Sequence, residues 1–174
     1  MRKQVGCVIG LAIALCSSAV YADCNVRPSN LDDFARYRLG QRLKALPKGV
    51  KKLPNCAVYR KYHTFDCEFV DADGNSYIAS GHGIVKVERM LAASSSSLLP
   101  PPLKFGMTIE EVSGALSALD PEVNWTTYHE DKVDRLSSGE CLKDSHGVTY
   151  GMDLEFDHGG GLNKVTASFD TAED

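Results

Sequence analysis

Residues 67–90 read CEFVDADGNSYIASGHGIVKVERM. Phe65, Cys67 and Phe69 alternate with Asp66 and Glu68, and Val85 and Val87 alternate with Lys86 and Glu88. A period of two marks strands with one buried and one wet face. Asp73-Gly74 between two such runs is a hairpin turn signal. Strands are therefore expected near 56–62, 65–70, 76–81 and 84–90. A second stretch, CLKDSHGVTYGMDLEFDHGGGLNKVTASF at 141–169, runs through the same features in the same order. Cys67 matches Cys141. Asp73-Gly74-Asn75-Ser76-Tyr77 matches His146-Gly147-Val148-Thr149-Tyr150, one residue out of step. Val148, Tyr150, Met152, Leu154 and Phe156 alternate with Thr149, Gly151, Asp153 and Glu155, and Val165, Ala167 and Phe169 alternate with Lys164, Thr166 and Ser168.

LKFGMTIEEVSGAL, 103–116, precedes the second stretch. Thr108 as N-cap and Glu111 three residues on make a capping box, with Met107 and Val112 as the hydrophobic staple. Glu110 and Glu111 lie at the positive end of the helix dipole. Ahead of the first stretch stands YRLGQRLKALP, 37–47, where Leu39-Gly40 matches Phe105-Gly106. A helix is expected there from about 31 to 46, ended by Pro47-Lys48-Gly49. Between the halves lies AASSSSLLPPP, 92–102, a Ser/Pro linker. The expectation is an α+β fold of two tandem repeats, 23–91 and 103–174. Each repeat is a helical segment packed on an antiparallel four-stranded sheet.

The first 22 residues read as a secretory signal peptide: Arg2 and Lys3, an apolar run from Val5 to Cys16, and a cleavage site after Val20-Tyr21-Ala22. The run is short for a membrane span. Lipidation needs a small residue before the acceptor cysteine, and Cys16 follows Leu15 while Cys24 follows Asp23. The protein is expected in the periplasm or outside the cell. Cys24, Cys56, Cys67 and Cys141 then suggest two disulfides, with three possible connectivities. Cys56–Cys67 is the local pairing, and it leaves Cys24–Cys141. No C-x-x-C speaks for a metal. Residues 23–91 carry 12 Lys and Arg against 8 acids, and residues 92–174 carry 5 against 15. That acidic balance disfavours nucleic acid, and the asymmetry can orient a charged partner.

The combination resembles the β-lactamase inhibitory protein family. The carrying residues are Phe105-Gly106-Met107-Thr108 before a helix and the short loop between Asn55-Cys56 and Asp66-Cys67. The resemblance implies tandem helix-and-sheet repeats and an inhibitor that enters its target with a hairpin after the second cysteine. The matching residues here are Asp71 to Asn75. The small outer-membrane lipoproteins of the barrel-assembly machinery share the G-M-T-x-E-x-V helix start, which implies an envelope assembly or scaffold factor as the alternative.

Two surfaces are candidates for a protein partner. One is the hairpin with Asp71, Asp73 and Asn75. It is not an EF-type calcium loop, since positions six and twelve counted from Asp71 are Ser76 and His82. The other is the polar sheet face with Asp66, Glu68, Lys86, Glu88, Asp153, Glu155 and Lys164. Tyr59, Tyr62, Trp125 and Tyr128 stand nearby as aromatic anchors. His63, His82, His129, His146 and His158 make no H-x-x-x-H or H-E-x-x-H pair. His158-Gly159-Gly160-Gly161 resembles an esterase oxyanion segment but has no G-x-S-x-G with it, so a tight turn accounts for it. No catalytic residue, cofactor or metal is assigned. The function expected is non-enzymatic: inhibition or immunity-type neutralisation of a basic extracytoplasmic enzyme, such as a lysozyme-like hydrolase, an envelope toxin or a β-lactamase.

Overall fold

The computed structural model describes residues 24–59, 64–81, 83–91 and 99–169. The signal segment, Tyr62, His63, His82 and most of the linker lie outside them. In chain order the elements are β1 (Arg27–Pro28), β2 (Lys51–Tyr59), β3 (Thr64–Val70), β4 (Ser76–Ser80), β5 (Gly83–Met90), α1 (Ile109–Leu119), β6 (Thr126–His129), β7 (Val133–Ser137), β8 (Leu142–Lys143), β9 (Thr149–Asp157) and β10 (Leu162–Ser168). β2 to β5 form an antiparallel meander. β6, β7, β9 and β10 form a second.

The two meanders are one sheet, which corrects the expectation of two separate repeats. β5 pairs antiparallel with β10, Lys86 opposite Ser168 through Met90 opposite Lys164. Ten strands belong to this sheet. β8 takes the free end of β9, and β1 pairs with β8 in parallel. The chain is mostly β.

The second correction concerns helices. Among the described residues α1 is the one helix, and 31–46 is a run of turns. The backbone groups a helix would need there are used elsewhere. Arg36 N donates to the Tyr77 hydroxyl at 2.9 Å, Gly40 N to Ile84 O at 2.8 Å, and Ile84 N to Gln41 O at 3.0 Å. The matching bonds recur before α1: Gly106 N donates to Leu162 O at 2.9 Å, and Leu162 N to Met107 O at 2.7 Å. There Thr108 follows at once, and its capping box with Glu111 starts the helix. After Gln41 the chain reads Arg42-Leu43-Lys44-Ala45, with no N-cap, and no helix starts.

The inner face of the sheet is the core. The row Phe69, Tyr77, Val87, Ala167 and Met152 crosses five strands in register, and all five side chains are buried. Val112 and Leu116 of α1 are buried in the same cluster, as are Leu31, Phe34 and Leu39 of the turn segment. That single shared core is the reason the two halves cannot be separate bodies. Cys24–Cys141 ties the segment before β1 to the second half. Cys67 is disulfide-bonded as well and stands opposite Cys56 in the β2–β3 register, whose side chain is outside the description.

Candidate functional site

The outer face carries the charges that the alternation placed there. Two rows cross it in register. Val70, Ser76, Glu88, Thr166, Asp153, Ser137 and Thr126 make the first. Met90, Lys164, Glu155, Arg135 and Tyr128 make the second. Lys164 Nζ lies 2.9 Å from Glu155 and 3.3 Å from Glu88, and Lys86 lies 3.2 Å from Glu88. Burial works against the Lys164 ammonium, but the paired carboxylates outweigh it and raise its pKa. The Arg135 guanidinium sits over the Tyr128 ring at 4.9 Å and bonds Glu130 at 3.1 Å. Met90 and Tyr128 end the second row, each 45 % exposed.

Several of the predicted acids are therefore spoken for. Glu155 is neutralised by Lys164, while Glu68 and Asp153 have no ion pair among the described residues. Glu68 borders a hollow of about 230 Å³ with Ser76, Ile78, Lys86 and Glu88. The side chains of Tyr59 and Asp66 lie outside the description, as does Tyr62 altogether. Trp125 is elsewhere: it packs on the core beside Val123 and Leu116, in a cleft of about 140 Å³ near Leu31 and Leu142. Arg27 closes the rim of that region, 3.1 Å from Asp120 and 2.7 Å from Glu122.

The hairpin is not the exposed finger expected of it. Asp71 is 6 % exposed and Asn75 fully buried. Asp71 Oδ1 accepts from Asp73 N and Asn75 N at 2.9 Å each. Its Oδ2 accepts from the Asn75 amide and the Tyr77 hydroxyl at 2.8 Å each. Arg89 Nε donates to Asn75 Oδ1 at 2.6 Å and its NH2 to Phe34 O at 3.1 Å. Burial, with Asp71 beside it, holds the Tyr77 phenol well above its ordinary pKa. Ala72 and Asp73 are the exposed residues of this turn, and Gly74 is half-buried. The two carboxamide and carboxylate side chains proposed for a partner are thus committed to the turn, because a buried polar group must find its partners inside.

The sequence reading missed the turn's other members. D-x-x-G-x-[ST]-Y occurs twice, at 71–77 and 144–150, and this spacing was the available signal. In the second copy Asp144 N donates to Val148 O, and Asp144 Oδ1 accepts from His146 N and Val148 N at 2.8 Å.

Histidines do not converge on a reaction. His129 Nδ1 lies 2.6 Å from Asp134, and His158 Nε2 lies 2.9 Å from Glu130 O. Gly160 N donates to Asp157 O at 2.8 Å, so 157–160 is the tight turn expected. Among the described residues no three His, Cys, Asp or Glu side chains could hold a metal ion. No described helix is long and apolar enough to cross a membrane, and the Cys24–Cys141 bridge is compatible with an oxidising compartment. No family model, curated protein or solved structure matches the chain.

Proposed function

We propose that the protein is an exported, non-enzymatic binding module that inhibits or neutralises an extracytoplasmic enzyme, acting through the outer face of its sheet. The observation that carries this reading is the row Met90–Lys164–Glu155–Arg135–Tyr128. It presents an apolar residue at each end and a run of alternating charges between them, all on hydrogen-bonded strands. At strand spacing the row spans about 19 Å, the scale of the anchor cluster in a protein interface. Tyr and Arg are the residue types enriched at such centres, and a rigid sheet lowers the entropy lost on docking.

The charge pattern refines the target. The ladder is internally paired, so it orients a partner more than it attracts one. Attraction comes from Glu68 and Asp153, which have no ion pair among the described residues, and from exposed acids of the second half such as Glu110, Glu111 and Asp131. A basic enzyme fits this arrangement, whether a wall hydrolase, a toxin or a β-lactamase. The F-G-M-T helix start fits the inhibitor and the envelope scaffold alike, so the choice between them rests on the outer face.

The test is affinity capture on the immobilised, oxidised protein from envelope and secreted extracts. One enzyme retained by the wild type, released by Tyr128→Ala and by Asp153→Lys, and inhibited in solution supports the reading. Outer-membrane assembly proteins retained equally by all three move it to an envelope scaffold.

A further inference from the structure

Among the described residues three strands of the sheet have a single neighbour: β1, β2 and β6. A bare sheet edge offers its N–H and C=O groups to another strand, and proteins guard it with proline, lysine, a bulge or very short length. β1 is two residues long and ends in Pro28. β2 opens on Lys51-Lys52, contains Pro54 and shifts register between Lys52 and Cys56. β6 has no proline, no lysine and no bulge. It reads Thr126-Thr127-Tyr128-His129, pairs with β7 without a register shift, and exposes all four residues.

The phase of the ladder fixes which groups are open. Glu130 stands opposite Val133, one step beyond the His129–Asp134 pair, and Glu130 N donates to Val133 O at 3.0 Å. Hydrogen-bonded and non-bonded pairs alternate along an antiparallel ladder, so Tyr128 bonds Arg135 and Thr126 bonds Ser137. The other side of β7 agrees: Ser138 N donates to Met152 O at 3.0 Å, and the same alternation turns the Arg135 backbone toward β6. Thr127 and His129 therefore aim their N–H and C=O groups out from the edge.

We infer that β6 pairs with β6 of a second copy of this chain, antiparallel about a two-fold axis at Tyr128. In that register the strand is complementary to itself. Thr127 of each copy faces His129 of the other, and the two pairs exchange four N–H···O bonds that use every outward group of both strands. An axis at Thr127 or His129 engages only one of the two within the strand. An axis between residues sets open groups against groups already bonded. Glu130 faces Thr126 of the second copy, so no like charges stand opposite. The Tyr128 side chains meet on the outer face, and the row from Met90 to Tyr128 continues in reverse across the second copy. The contact is short, so the dimer is a weak one. The inference does not rest on the binding role proposed above; where both hold, the outer face is presented in duplicate.

The test uses the oxidised protein alone. Sedimentation equilibrium from about 5 µM to about 1 mM should show the mass rise from monomer toward dimer. Thr127→Pro removes an outward N–H that β7 does not use, and should raise the dissociation constant about tenfold or more while the monomer keeps its circular dichroism. Cross-linking reads the register. Facing Tyr128 residues have Cα atoms about 4.5 Å apart, within disulfide reach, whereas the two Thr126 residues lie about 14 Å apart. Under mild oxidation Tyr128→Cys should form a covalent dimer and Thr126→Cys should not. If the proline variant does not fold, the cysteine pair decides. Monomer mass at every concentration, a dimer indifferent to Thr127→Pro, or equal cross-linking of the two cysteine variants would each overturn the inference. The first would leave the edge to a strand of another protein. Thr127 lies off the outer row, so failure here is separate from failure of the outer-face reading.

Discussion

At the scale of single residues, Asp71 teaches the most. As a letter it is an acid at a turn, and an acid at a turn reads as a surface charge. The partners that bury it, Tyr77 and Asn75, are near in sequence, yet Phe34 and Arg89, which close the network behind them, are not. No local pattern announces a contact of that separation. Asp71→Ala strands the Tyr77 hydroxyl, the Asn75 amide and two backbone N–H groups, and should cost about 3 kcal/mol or more in urea unfolding. Asp73→Ala, at the exposed tip, should cost about 1 kcal/mol or less. Asp32 gives a pH test. Burial, the largest cause, and the nearby Asp144 raise its pKa above the ordinary carboxylate value. The folded state then holds the proton to higher pH than the unfolded state, so this residue's contribution falls as pH rises from about 4 through the raised value. Asp32→Asn should therefore unfold at a higher temperature than wild type near neutral pH, and the difference should vanish below about pH 4. A constant difference across pH would assign the effect to packing instead.

Single elements were legible where their cause is local. Period-two alternation located β3, β5, β9 and β10, and T-x-x-E located the start of α1. The failure at 31–46 has a non-local cause: Ile84 takes the backbone of Gly40 and Gln41 from over forty positions away. Leu31, Phe34 and Leu39 of that segment still reach the core, packed as turns. Thr108→Ala removes one side of the capping box and should lower stability by about 1 kcal/mol, read as helix content and unfolding midpoint together. Gly161→Ala is the harsher change. Its Cβ would overlap the Gly106 backbone, where the segment ahead of α1 is hydrogen-bonded to Leu162 at the start of β10. A loss of about 1–3 kcal/mol is expected by the same measurement, and a silent Gly161→Ala would place that contact elsewhere.

For the whole molecule, the seam between β5 and β10 was the illegible step. Edge pairing uses backbone groups that every strand offers, so no side-chain pattern distinguishes two sheets from one. The candidate face inherits that outcome: the row from Met90 to Tyr128 exists only because the seam carries it across. The long Cys24–Cys141 bridge, with 117 positions between its ends, should contribute about 2–5 kcal/mol. Cys24→Ser/Cys141→Ser should lower the thermal midpoint by the same amount as reductant does at that bond. Equal midpoints for the variant and wild type would mean β1 holds its place without it.

That bridge also sets an order of events. On the proposed export route the chain is threaded from its N-terminus, so Cys24 meets oxidant before Cys141 has emerged. Cys56 and Cys67 arrive in between. An oxidase that joins cysteines as they emerge would pair Cys24 with Cys56, and the native bond would then require reshuffling. Yield of correctly bridged protein should accordingly depend on a disulfide isomerase rather than on oxidase alone, and the shortfall in its absence should be recovered by a glutathione redox buffer.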